Sequence, residues 1–283
     1  MNLSDQELEL LKLHYAWPAS YPVLKQHLSG NPRCQNVLHS STVKQKKLNE
    51  RLRELSSLPL LDLLYEKGII PIPYTHPDYP TRLKQLIDPP AVLYTKGNKD
   101  LLKREHLIAI VGSRKATDYS VLAMEQIVPP LVRYNAVIVS GLAKGADTLA
   151  HEAAIRYGGD TIAVLGNGFF HLYPKENREL EAHIGRHHLL VTEYPPYQPP
   201  AKWTFPMRNR IISGLSKSLV ITESAEKSGT MSTIEHALDH GKEVFAVPGP
   251  IDSPLSLGPN KLLNEGAQGI WNGFQIVESL VES

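Results

Sequence analysis

The 283-residue chain has a single cysteine, Cys34. That excludes an internal disulfide and a thiolate metal cluster. Long apolar runs are missing as well: "LIAIV" (107–111) and "AVIVS" (136–140) are far too short to span a bilayer. The opening "MNLSDQELELLKLHYAW" lacks the basic flank and apolar core of a signal peptide, so a cytoplasmic location is expected. Net charge is only +1. This removes a bulk-charge argument for nucleic-acid binding but leaves local field to decide the question. With 42% hydrophobic and 21% charged residues, the composition is that of a folded domain rather than a disordered chain.

Residues 1–68 read as a small helical N-terminal domain. Ser4 followed by Glu7 is a capping-box pattern, and Leu8, Leu11 and Tyr15 recur at helical spacing. Pro59 breaks or opens a helix, and Gly68 stops one. Gly30 and Pro32 punctuate shorter helices, and Cys34 beside them reads as structural. The segment 1–66 holds eight Lys/Arg and seven Asp/Glu, so it is no basic arm; packing or interaction is the expected role.

From residue 69 the texture changes. "IIPIPYTHPDYPTRLKQLIDPPAVLYTKGN" is proline-rich and reads as a connector adding a strand or two. Strands and helices then alternate. Strands are predicted at 106–112, 136–141, 161–168, 188–194, 218–224 and 243–249, with helices at 118–133, 145–158, 176–185, 204–213 and 230–241. Apolar strands alternating with helices argue for a parallel sheet covered on both faces. The expected fold is α/β, a Rossmann-like doubly wound, mostly parallel sheet spanning 69–283 behind the helical domain.

Ligands of such sheets bind at the carboxyl ends of the strands. Here those ends read "VGSR", "SGLAKG", "LGNG", "TEY" and "ESAEKSGT". Several glycine turns in register suggest an extended anion-binding rim. Cations join it: Arg114, Lys144, Lys175, and Arg208 and Arg210 of "FPMRNRIISGL". No acidic residue falls between Tyr194 and Ser218, while Lys202, Arg208, Arg210 and Lys217 do. There is no P-loop, no G-x-S-x-G elbow, and no G-x-G-x-x-G after the first strand of the alternation. His236 and His240 stand one helical turn apart, without a third metal ligand; a solvated face is the expected reading.

The motifs "IAIVGSRKATDYS", "VSGLAKGADTLAHEAAI", "TIAVLGNGFFHLYPKEN", "FPMRNRIISGLS" and "EKSGTMSTIEHALDHGKEVFAVPG" resemble, in order and spacing, those of the DNA-processing protein A (DprA/Smf) family. The N-terminal segment resembles that family's sterile-alpha-motif-like domain more loosely. The winged-helix module of many members is not expected, since the chain stops soon after the sheet. The resemblance implies a homodimeric single-stranded DNA binder of bacterial natural transformation. It would protect incoming strands, load the RecA recombinase onto them, and need no cofactor. It places the DNA pocket on Ser113, Arg114, Ser140, Gly141, Lys144, Lys175, Arg208, Asn209, Arg210, Gly229 and Thr230. Glycine-turn amides and the Ser113 and Thr230 hydroxyls would hold phosphate oxygens. Single strands also expose base faces. Phe169, Phe170, Tyr173 and Phe205 lie near rim loops, and Tyr173 or Phe170 is the expected stacking residue. For dimerisation, the leucines of 255–271 either form an apolar interface or pack on the sheet.

A rival reading is enzymatic. "SGTMSTIEHAL" also resembles the signature of Rossmann-like nucleotide phosphoribohydrolases, which would set Glu235 and Arg208 at a glycosidic bond. It lacks that signature's Pro-Gly-Gly. A purely structural interaction protein would leave the cationic rim unexplained.

Overall fold

In the computed structural model, residues 2–28 and 42–282 are described; Gly30, Pro32 and Cys34 lie outside them. Four helices come first: α1 (Asp5–Ala16), α2 (Tyr21–Leu28), α3 (Thr42–Ser56) and α4 (Leu60–Glu66). Ser4 and Glu7 close the expected capping box, with the Glu7 amide bonded to Ser4 Oγ and the Ser4 amide to Glu7 Oε2. Gly68 ends this region at φ +68°, a left-handed conformation that costs glycine little. Leu10, Leu24, Leu48 and Leu64 share one apolar cluster with Val92 and Tyr94. The helices are thereby fastened to the sheet's edge.

The sheet has β1 (Ile70–Pro73), β2 (Val92–Gly97), β3 (Leu107–Val111), β4 (Val137–Ser140), β5 (Thr161–Val164), β6 (Leu189–Thr192), β7 (Ser218–Ile221), β8 (Glu243–Ala246) and β9 (Gln268–Gly269). Its order is β1-β2-β6-β5-β4-β3-β7-β8-β9. The first two strands pair antiparallel, as does β2 with β6; every later pair is parallel. The proline-rich connector thus supplies the antiparallel edge. The helices of this part are α5 (Asp118–Arg133), α6 (Ala146–Arg156), α7 (Arg178–His187), α8 (Thr204–Leu215), α9 (Gly229–Asp239), α10 (Leu257–Asn264) and α11 (Phe274–Glu282). Among the described residues none is long and apolar enough to cross a membrane.

Why the strands read as unbroken apolar runs is visible in β3. Leu107, Ala109 and Val111 face α8 and α9 through Ile211, Ile212 and Ile234. Ile108 and Ile110 face α5 and α11 through Met124, Ile127 and Ile276. Successive side chains alternate faces, and both faces are covered. The Ile211-Ile212 pair is wholly buried, and each such side chain removed from water contributes roughly 2 kcal/mol. The strand segments end sooner than predicted because the glycines beyond them leave the ladder. The run 161–168, for instance, pairs only through Val164.

The chain winds outward from β3 through β4 and β5 to β6, then crosses to β7 on the other side of β3. The switch point therefore lies between β3 and β7, where a crevice opens beyond the carboxyl ends of the strands.

Candidate nucleic-acid interface

A cleft of 590 Å³ occupies that position. The turn after β3 supplies Ser113, Arg114 and Lys115, and the start of α9 supplies Gly229 and Thr230. Lys202, Phe205, Arg208 and Asn209 come from α8 and the residues before it, and Tyr173 from the loop after β5. Residues scattered over 118 positions are gathered by the parallel topology alone.

The turns are held in place by close packing. Gly145, at φ +75°, lies against the Ser113–Arg114 backbone; a Cβ there would come within 2.8 Å of the Arg114 carbonyl carbon. The Ser113 amide donates to the Glu223 carbonyl at 2.6 Å, and the Ser113 carbonyl accepts from Ala146 at 3.0 Å. Glu223 in turn takes the Thr117 amide at 2.7 Å and the Ser120 hydroxyl at 2.7 Å. Arg114 is thus an exposed, long side chain on a rigid base.

These bonds correct one expectation. The Gly141 and Ala143 amides donate to Asp147 Oδ2 at 3.1 and 3.3 Å, so the "SGLAKG" turn is occupied by its own carboxylate. Ser140 is fully buried, its hydroxyl donating to Ile110 at 2.7 Å. Ser140 and Gly141 therefore support the cleft instead of presenting donors to it. The Thr230 hydroxyl donates to the Gly112 carbonyl at 2.9 Å, so its proton is engaged. Ser228, at the N-cap of α9, makes no side-chain cap bond. The helix's first amides have no partner within the helix, and its dipole adds positive potential.

The Arg-Asn-Arg unit divides in three directions. Arg208, 4% exposed, runs beneath the cleft: Nη1 donates to the carbonyls of Gly141 and Val164, and Nε to Asn209 Oδ1 at 3.1 Å. Burial pulls its pKa down and Asp147 opposes the fall; an arginine there remains charged. Asn209 ties α8 to α9 through Ser232 Oγ at 2.8 Å. Arg210 turns away from the cleft. Nη2 meets Glu193 Oε2 at 2.6 Å and Nε meets Asp88 Oδ2 at 3.1 Å, at a separate 420 Å³ cavity that also holds His236 and His240. The two histidines are part-buried rather than a solvated face, and His240 Nδ1 lies 2.9 Å from Ser213 Oγ. Successive side chains on a helix point about 100° apart, so three neighbours cannot share one surface.

The exposed Lys144 is paired with Glu176 at 2.6 Å. Lys175 is exposed on the following 3-10 turn, near the cleft mouth formed by Tyr173. The Tyr173 ring lies 5.2 Å from that of Phe205. The Arg114 guanidinium sits over the Phe205 ring, 5.6 Å from its centroid, a cation–π geometry. Gly166 makes room for this ring, since a Cβ would lie 2.9 Å from Phe205 Cδ1. Phe169 is half-buried against two core clusters, and Phe170 is exposed but outside the cleft lining. Lys115 is thus a cleft residue the sequence reading did not name, while Lys202 and Phe205, named there among the cations and the rim-loop aromatics, also line the cleft.

Glu235 stands exposed on α9, outside the lining, and Arg208 is committed to two carbonyls. The glutamate–arginine pair that glycosidic cleavage would need is not assembled.

An α/β protein with a Rossmann-like sheet and a cationic, aromatic-walled cleft at its switch point is the class so defined. Residues 71–281 match the family model for DNA recombination-mediator protein A. DNA processing protein DprA of Bacillus subtilis is 43% identical over 253 residues, covering 89% of this chain and 85% of the relative. The solved structure of DprA from Streptococcus pneumoniae superposes with a TM-score of 0.82 at 35% identity, covering 98% of each chain. DNA processing protein A of Helicobacter pylori, solved to describe its single-stranded DNA binding mode, gives 0.69 at 32% identity, covering 76% of this chain and 96% of that one. The chain belongs to the DprA/Smf family of DNA-processing proteins. None of these relatives bears an enzyme's name.

Proposed function

We propose that the cleft binds single-stranded DNA with little regard to sequence. The observation that carries this is the convergence of Arg114, Phe205, Tyr173 and the open first turn of α9. Cations and free amides suit phosphates; ring faces that can be reached suit unstacked bases. A duplex hides its base faces and offers no use for the rings. Arg114, Lys175, Lys202, Gly229 and Thr230 are the direct contacts in this reading. Arg208, Asn209, Ser140 and Gly141 hold the walls, and Ser113 carries Arg114. Gel shifts with single-stranded and duplex DNA of equal length test it: tighter single-strand binding is expected, and a duplex preference contradicts it.

In the cell this activity would serve natural transformation, shielding incoming strands and loading RecA onto them as a homodimer. Family membership supports that part of the reading. Of the 255–271 leucines, Leu262 belongs to the core, whereas Leu257 is 52% exposed and nearby Ile251 is 97% exposed. These two support a two-fold apolar contact; light scattering of Leu257→Arg should report a monomer, and an unchanged dimer removes this patch. Residues 1–68 are taken as a separate interaction domain, since their cluster meets the sheet at its β1–β2 edge, away from the switch point.

A further inference from the structure

Beside the loop that carries Tyr173 lies a further cavity, of 430 Å³. Leu172 lines it, while the adjoining Tyr173 lines the cleft. One short loop is therefore a wall of both. Phe169 comes from the same loop, Lys96 from β2, and Arg178, Glu181 and Arg186 from α7.

The charges in this cavity are not balanced internally. Lys96, Arg178 and Arg186 are exposed and enter no ion pair among the described residues. Glu181 is the one carboxylate in the lining. Its Oε2 is buried and has no hydrogen-bond partner. Burial pushes its carboxyl up to about 7, against the pull of Lys96. An acceptor without a donor, an aromatic side chain and unpaired cations at the rim describe a ligand that is planar, rich in N–H groups and joined to phosphate. The volume is within the range of small-molecule sites, about 300–1,000 Å³.

Nucleobases have these properties, and they differ at the edge that would meet a carboxylate. Guanine presents N1–H and an N2 amine side by side, matching two carboxylate oxygens. Thymine has one N–H between two carbonyls, which would repel a carboxylate. Adenine and cytosine set their amine beside an unprotonated ring nitrogen. We propose that this cavity takes a guanine base from a strand leaving the cleft over the Tyr173–Lys175 loop, held by Glu181 at its Watson–Crick edge and by Arg178 and Arg186 at its phosphates. The inference rests on the single-strand reading of the cleft.

The test is fluorescence anisotropy with oligo(dT) carrying one dG, or one deoxyinosine, at successive positions. Deoxyinosine lacks only the N2 amine. One dG position should tighten binding about tenfold over plain oligo(dT), within the roughly 5- to 150-fold expected of a bidentate base contact. Deoxyinosine there should lose most of the gain. Glu181→Gln should abolish it while plain oligo(dT) binds as before, and Arg178→Ala should diminish it. A flat dG scan overturns the proposal, as does a gain that survives in deoxyinosine or in Glu181→Gln. Failure of plain oligo(dT) to bind would strike the cleft reading instead. GMP against IMP by calorimetry then isolates the N2 amine without a strand: wild type must prefer GMP and Glu181→Gln must not, and equal binding of the two nucleotides by wild type overturns the proposal.

Discussion

Gly141 is glycine because of Arg208. The guanidinium donates to the Gly141 carbonyl and fills the space a Cβ on Gly141 would need. The same guanidinium takes the Val164 carbonyl at 2.6 Å, clamping the ends of β4 and β5 from α8. Two consequences follow for stability. Gly141→Ala must displace a buried arginine, and Arg208→Ala leaves two buried carbonyls without this donor and removes the positive charge nearest Asp147. Each should cost about 3–5 kcal/mol in urea unfolding. A cost below about 1 kcal/mol for both would mean that Arg208 is a surface contact residue.

Arg210 should behave as a structural residue as well. Its ion pairs with Asp88 and Glu193 are on the far side of α8, and breaking a buried pair from one side costs about 3–5 kcal/mol. Burial pulls its pKa down, but the two carboxylates outweigh that and raise it overall. Arg210→Ala should lower unfolding stability by that amount. A fully stable Arg210→Ala protein with weakened DNA binding would return Arg210 to the interface.

Much of this was legible in the chain, and what was not has a physical cause. The parallel sheet could be read because strands buried on both faces appear as apolar runs closed by glycine. The helix 118–133 matches α5 residue for residue. The proline-rich stretch was expected to add a strand or two, and it supplies β1 and β2; their antiparallel pairing was not legible in it. Arg114 could be placed at the cleft from its strand-end position. Arg210 could not, because one partner, Glu193, stands a single residue outside the acid-free window and the other, Asp88, is 122 positions away. The engaged amides of "SGLAKG" were likewise invisible, since Asp147 reaches back to them only once the turn has formed. Phe205 was one of four aromatics near rim loops, and its place in the cleft depends on the room Gly166 leaves for its ring, a contact between distant segments.

Stacking should be borne by Phe205 and Tyr173. Phe205→Ala should weaken oligo(dT) binding by about 1–3 kcal/mol, and Tyr173→Ala by a similar or smaller amount. Phe170→Ala, outside the lining, should change it by less than twofold. Anisotropy titrations of the three variants check this; a dominant Phe170 effect would move the strand's path out of the cleft.

Glu181 supplies a pH test that needs no ligand. Its carboxyl stands near 7 in the folded protein against an ordinary 4.5. Folding therefore takes up a proton between those values. The stabilising contribution is complete below pH 4.5 and is lost as pH rises through about 7. Lys96 on β2 is the charge that pulls against burial, and Arg178 and Arg186 on α7 line the same cavity. Glu181→Gln does not titrate, so its stability relative to wild type should rise from pH 5 to pH 8 by about 1–2 kcal/mol, allowing for solvent screening of a partly exposed group. A constant difference would contradict the assignment.

The central claim is that Arg114 meets DNA phosphate at the switch-point cleft. The direct measurement is the salt dependence of oligo(dT) affinity for wild type and Arg114→Ala. Each phosphate contact on a single strand contributes about 0.7 to the slope of log K against log salt. The Arg114→Ala slope should be shallower by about that amount, with unfolding stability within about 0.5 kcal/mol of wild type. An unchanged slope and affinity in a folded Arg114→Ala protein would contradict the account.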